Sequence, residues 1–190
     1  MLVGLLFGSF DPIHQGHLML GQYMLQFENL HEVWYVLSPQ NPLKSSLQLT
    51  DVRHRLNMLQ LAICGSPALK ICGRELSMPS PSYTIDTLNQ LKQEYPGVQF
   101  SIIMGTDNIA SIDKWKDYRT ILSNHPILVY PRLGSPEPTI THPNIKLTKA
   151  PLVELSSTNI RSWVKAGKDV RHFIPLQVYQ YIVDERLYGG

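Results

Sequence analysis

Apolar residues in this chain come in short continuous runs separated by longer amphipathic stretches. Leu2–Phe7 is apolar apart from Gly4 and stops at Gly8-Ser9, the profile of a strand buried on both faces. A helix is expected from about His17 to Phe27, offering Leu18, Met24, Leu25 and Phe27 to the core, and Val33–Leu37 is the next strand. Thr50-Asp51 supplies N-cap chemistry for a helix from Val52 to about Cys64, stopped by Gly65-Ser66-Pro67. A short strand follows at Leu69–Cys72, a helix from Tyr83-Thr84 to about Tyr95, and a strand at Val98–Met104. Gly105-Thr-Asp-Asn108 then leads at once into a short helical run through Ile112. Ile127–Tyr130 and Ile145–Leu147 are further strands, flanking the proline-rich loop Arg132–Asn144. Ser156 and its neighbours open a helix to about Ala166, and Pro175 opens one from about Leu176 to Arg186. Strands alternating with helices, mostly without hairpin signals, predict an α/β fold. The expected architecture is a doubly wound, Rossmann-like, mainly parallel sheet with helices on both faces, in a single domain over 1–190.

Size and charge narrow the picture. The 190 residues suit one core. A formal net charge of +2 is too weak to argue for nucleic acid as a partner. No stretch is long and apolar enough to suggest a membrane span, and no secretory pattern opens the chain. Cys64 and Cys72 lack a second ligand pair with zinc spacing, so they are expected to act as small apolar residues in a reducing compartment. A cytoplasmic protein is the expectation, with a homo-oligomer left open.

The candidate chemistry sits where predicted strands end. Gly8-Ser-Phe-Asp-Pro-Ile-His-Gln-Gly-His17 reads as strand, glycine turn, helix start. Unpaired amides and the helix dipole at such a place favour an anion, and two imidazoles three residues apart can add donors. The same histidines share a helix face and could hold a metal, with Asp11 as a third ligand, or the whole stretch could be structural. Gly105–Asn108 is a second such junction, although Asp107 could merely cap its helix. Ser156–Arg161 is a third anion-receptive end, with Arg161 one turn inside. Arg53 occupies a first turn, where a cation is unfavourable unless something negative is near; otherwise it is a solvated surface arginine. Trp115, flanked by charges, is either a stacking platform or a lid over the core edge. In doubly wound sheets ligands bind beyond the carboxyl ends of the strands, and all three loops satisfy that rule. A phosphate-rich ligand is the common denominator.

Gly8–His17 resembles the signature of the nucleotidyltransferase superfamily that shares its histidine pair with class I aminoacyl-tRNA synthetases. Ser156-Ser-Thr-Asn-Ile-Arg161 looks like that superfamily's second signature. Within it, the nearest likeness is to the bacterial nicotinate-nucleotide adenylyltransferases. His14 stands where the related phosphopantetheine adenylyltransferases have threonine, Pro81–Leu88 resembles the segment at the nicotinate pocket, and Gly105–Asn108 with Trp115 resembles the adenosine loop and its aromatic platform. Leu43 departs from the family's polar residue in the Asn41–Lys44 loop.

The resemblance implies transfer of the adenylyl group of ATP, accompanied by Mg2+, to nicotinate mononucleotide, giving deamido-NAD and pyrophosphate. It implies His14, His17 and Arg161 as the catalytic set. Gly8, Ser9, Phe10, Gly105, Asp107, Ser157 and Thr158 would bind ATP, with the helical part from about residue 156 completing that site. Lys44, Arg53, Thr84 and Trp115 would bind the mononucleotide. An acceptor such as nicotinamide mononucleotide or phosphopantetheine, and a non-catalytic nucleotide-binding regulator, are the alternatives.

Overall fold

The structure is a computed structural model that describes residues 1–39, 49–135 and 140–189. Its strands are β1 (Leu2–Gly8), β2 (Glu32–Leu37), β3 (Leu69–Cys72), β4 (Gln99–Gly105), β5 (Ile127–Tyr130) and β6 (Ile145–Leu147). They form one sheet in the order β3-β2-β1-β4-β5-β6, and every neighbouring pair runs parallel. This is the doubly wound arrangement expected from the alternating pattern. The strand order reverses between β1 and β4, and the crevice there opens at their carboxyl ends.

The helices are α1 (Gln15–Phe27), α2 (Val52–Ile63), α3 (Thr84–Glu94), α4 (Thr106–Ile109), α5 (Tyr118–Asn124), α6 (Ser157–Lys165) and α7 (Leu176–Asp184). Alternation along the strands sends side chains to two separate cores. Val33, Tyr35 and Leu37 of β2 and Ile103 of β4 pack with Met24, Met58, Ile160 and Val178, beneath α1, α2, α6 and α7. Trp34, Val36, Ile102 and Met104 pack on the opposite face with Ile85, Leu88 and Ile121, beneath α3 and α5. With both faces covered, the strands must be apolar throughout, which is why they read as unbroken runs. Among the described residues no helix is long and apolar enough to cross a membrane.

Several expectations are corrected. Helix α1 starts two residues earlier than His17, because His14 is its N-cap with extended backbone. Phe27 is 66% exposed and stacks on Tyr23 instead of entering the core. Helix α5 has no counterpart in the sequence reading; its seven residues are too few to display a period, and it starts from Asp117 in a left-handed conformation. Cys72 is buried as expected, whereas Cys64 is exposed beyond the end of α2.

Candidate active site

The loop between β1 and α1 is held from behind, through three of its carbonyls and the Asp11 carboxylate. Arg55 Nη1 donates to the carbonyl of Ser9 at 2.9 Å. Arg161 Nη1 donates to the carbonyl of Asp11 at 2.6 Å, and Ser157 Oγ to that of Pro12 at 2.8 Å. The Asp11 carboxylate accepts the Thr50 amide at 3.1 Å and the Tyr188 hydroxyl at 2.7 Å. Drawing carbonyls towards cations on one side leaves the amide edge of the turn for the other, the arrangement an anion requires. The path is tight. Phe10 has φ of 46°, sparsely populated for a residue with a side chain. A Cβ on Gly8 would meet the Phe10 ring at 2.8 Å, so glycine is required there.

Phe10 itself is 2% exposed, its ring edge-on to His17 at 5.1 Å and to Tyr35 at 5.5 Å. Any contact it makes with a ligand is through its backbone. The rings of His14 and His17 stack with centroids 3.7 Å apart. His17 Nδ1 accepts the amide hydrogen of His14 at 3.3 Å, which puts the proton of the neutral ring on Nε2. His14 Nδ1 is buried with no hydrogen-bond partner among the described residues. Burial lowers the pKa of His14 to about 4, with the charge of Arg132 adding to the effect. His17 is pushed well below its ordinary value by burial, then by His14 and Arg132. Both imidazoles are therefore neutral at pH 7. The N-terminus of α1 is also less open than the sequence suggests, since Gln15 N donates to the Phe173 carbonyl and His17 N to that of His14.

Across the crevice, Gly105 ends β4 and precedes α4. Asp107 does not cap that helix; its carboxylate pairs with Arg132 Nη1 at 3.1 Å, while Arg132 N donates to Thr106 Oγ1 at 3.0 Å. At the start of α6, Ser156 is the cap, accepting from Asn159 N at 3.1 Å, and Arg161 Nη2 reaches Thr158 Oγ1 at 3.4 Å. Helix α6 thus lies against the Gly8–His17 loop.

Thr84 opens α3, and Trp115 packs half-buried at the edge of the second core. Their segments are joined by Lys116, which bonds both carboxylate oxygens of Asp86 at 2.9–3.0 Å and lies 5.1 Å from the centre of the Tyr83 ring. Trp115 Nε1 is buried and has no partner among the described residues.

Two expectations fall away. Arg53 is 82% exposed at its side chain and bonds to Asp51, the carboxylate that caps its own helix. That carboxylate is the negative group its position called for, and no phosphate is needed to explain it. Asp11, weighed as a third metal ligand, instead has each carboxylate oxygen accepting a hydrogen bond from the protein, and among the described residues no group of three His, Cys, Asp or Glu is placed to hold an ion. Lys44 lies outside the described residues. Sequence reasoning missed Arg55, Arg132 and Tyr188. Arg55 could have been suspected from its place three residues after Val52, where the helix starts, on the face turned inward; nothing local marks the other two.

A model of the cytidylyltransferase-like family matches residues 5–162. A protein of Flavobacterium johnsoniae named "Probable nicotinate-nucleotide adenylyltransferase" is 42% identical over 191 aligned residues, covering 99% of each chain. This chain belongs to the cytidylyltransferase-like family, among its nicotinate-nucleotide adenylyltransferases. A relative of the same name from Bacteroides fragilis is 44% identical, covering 96% of this chain and 91% of its own. In fold, the chain is similar to Plasmodium falciparum nicotinic acid mononucleotide adenylyltransferase complexed with NaAD, with a TM-score of 0.77 at 24% identity, covering 99% of this chain and 97% of that one. The family assignment fits the site: the two segments that carry its signatures, Gly8–His17 and Ser156–Arg161, are the two that the Asp11, Pro12, Ser157 and Arg161 contacts bind together.

Proposed function

We infer that this chain transfers the adenylyl group of MgATP to nicotinate mononucleotide, releasing pyrophosphate and forming deamido-NAD, a step of NAD biosynthesis. The observation that carries the reaction is the joining of the His14–His17 loop to helix α6 through Arg161 and Ser157. The acceptor rests on the full-length identity with relatives that bear that name. ATP as a substrate argues for the cytoplasm as the place of action.

An oxygen of the mononucleotide phosphate attacks the α-phosphorus of ATP; the bond from that phosphorus to the α,β-bridging oxygen breaks, and pyrophosphate leaves with that electron pair. The nucleophile is already an anion, so no general base is needed. Catalysis consists of alignment and of stabilising charge on the phosphoryl oxygens. His17 supplies Nε2–H as a neutral donor, and His14 offers a ring nitrogen that the protein itself leaves without a partner. The turn amides of Gly8, Ser9 and Phe10 complete the cradle. Arg161, with Ser157 and Thr158, takes the leaving phosphates, and Asp107 takes the adenosine ribose. A single donor of this kind supplies about 3–4 kcal/mol of transition-state stabilisation. Magnesium arrives as part of the substrate, since phosphate oxygens and water are its usual ligands.

At the acceptor, Trp115 stacks on the nicotinate ring and Thr84 orients it from the start of α3. Lys44 remains a candidate for the mononucleotide phosphate; Arg53 is not retained. The test is pyrophosphate release from MgATP with nicotinate mononucleotide, nicotinamide mononucleotide and phosphopantetheine offered separately. Release with the first alone, or with strong preference for it, is expected. Silence with the first and clear release with another transfers the activity to that acceptor, and ATP binding without release from any of them identifies a regulator.

A further inference from the structure

Asp11 is 1% exposed, and no step of the reaction uses its carboxylate. It is nonetheless where four separated parts of the chain meet. Its main-chain carbonyl takes Arg161 from α6, one carboxylate oxygen takes the Thr50 amide from the segment before α2, and the other takes the hydroxyl of Tyr188, from the turn after α7. Arg55 closes the group: its guanidinium donates to the carbonyls of Ser9, Ser38, Pro39 and Thr50 at 2.8–3.0 Å, and its charge faces Asp11.

Tyr188 is placed for this contact at a cost. Its φ is 62°, in the left-handed region that a residue with a side chain adopts only when its surroundings hold it. Burial, and then the charge of Asp11, raise the pKa of its phenol, so it stays a donor across the whole working range of pH. The hydroxyl lies against Met58 Sδ at 3.9 Å, a weak acceptor, so the Asp11 carboxylate is its strong partner. A charge-assisted bond of this kind, made inside the protein, fixes the direction of the carboxylate. That direction sets the turn on which Ser9, Phe10 and His14 are carried, one to three residues away in sequence.

We propose that Tyr188 is a positioning residue for adenylyl transfer, acting through Asp11 to hold the phosphate loop in register with α6. The proposal rests on the reading that Gly8–His17 binds the triphosphate. Tyr188→Phe removes one hydroxyl and keeps the packing. It is compared with the wild type in steady-state kinetics for both substrates, well below the unfolding temperature of each protein, and in binding of a non-hydrolysable ATP analogue. The expected result is a fall in kcat/KM for ATP on the order of tenfold, a matching weakening of analogue binding, and a KM for nicotinate mononucleotide within twofold of wild type. Asp11→Asn, of equal size, serves as the second arm. In that background Tyr188→Phe should cost less than twofold more, because the two act through one bond.

A folded Tyr188→Phe protein with kcat/KM for ATP and analogue affinity within twofold of wild type overturns the proposal, even if its unfolding temperature falls. Full additivity of the two substitutions also overturns it. If the wild type shows no turnover with nicotinate mononucleotide, the assignment of the reaction fails instead. Analogue binding by the wild type and Tyr188→Phe then still decides the positioning role.

Discussion

His14 and His17 lie face to face, 3.7 Å between ring centroids and 23° between planes, and both are held neutral by burial. A histidine whose folded-state pKa is depressed contributes stability that is complete above its unfolded value near 6.5 and is lost as pH falls. For His14, with its pKa lowered to about 4, the loss amounts to about 2 kcal/mol by pH 5. Urea unfolding at pH 7.5 and pH 5.0 measures it. His14→Asn should show a smaller drop than wild type; an equal drop would place the acid sensitivity elsewhere.

His17→Ala should lower kcat by roughly 100- to 1,000-fold, the range for loss of one donor to a developing phosphoryl charge, while the circular dichroism spectrum stays that of the wild type. Near wild-type turnover in a folded His17→Ala protein would remove the residue from the chemistry.

Gly105→Ala places a methyl group against Asp107 Oδ1 and 2.6 Å from Arg132 Cδ. The Asp107–Arg132 pair has to separate, and KM for ATP should rise on the order of fivefold, with KM for the mononucleotide unchanged. A selective rise in the mononucleotide KM would assign Gly105–Asn108 to the other substrate.

Arg55→Met keeps the apolar stem but leaves four carbonyls without their donor. The expected loss is about 3–5 kcal/mol of stability, as for other buried charges stripped of a partner, read from the urea midpoint. A shift under 1 kcal/mol would mean that water replaces the guanidinium.

Trp115→Ala should raise KM for nicotinate mononucleotide by on the order of tenfold and leave that for ATP unchanged, since stacking on a planar ring contributes about 0.5–1.5 kcal/mol beyond the area it buries. An unaltered mononucleotide KM would take Trp115 out of the pocket.

The parallel sheet was legible because burial on both faces forces unbroken apolar runs, and Leu2–Phe7, Val33–Leu37 and Ile127–Tyr130 mark themselves by that alone. The three loops proposed to face the ligand were marked in the sequence for a related reason: each joins the end of a strand, or an open stretch of chain, to the start of a helix. Contacts between distant segments were not. Arg53 looked anomalous because Asp51 was read only as a cap and not as a salt-bridge partner. Arg55, two residues on, faces inward and holds main-chain carbonyls, a role that nothing in its sequence neighbourhood marks. Asp11 was weighed as a metal ligand because its partners, Thr50 and Tyr188, stand 39 and 177 residues away. Neutral histidines were equally invisible, since burial is a property of the fold.

Strand β1 is central in the sheet but first in the chain, and its second neighbour, β4, begins only at Gln99. Half of the polypeptide must therefore be made before β1 is flanked on both sides, and the loop beyond it gains its last support only when Tyr188 arrives. Contacts so distant along the chain are slow to close and are made late. During synthesis, then, the histidine loop should be able to take up ATP only after nearly the whole chain has left the ribosome, and a nascent chain lacking α6 and α7 would be unable to hydrolyse or sequester nucleotide while it waits.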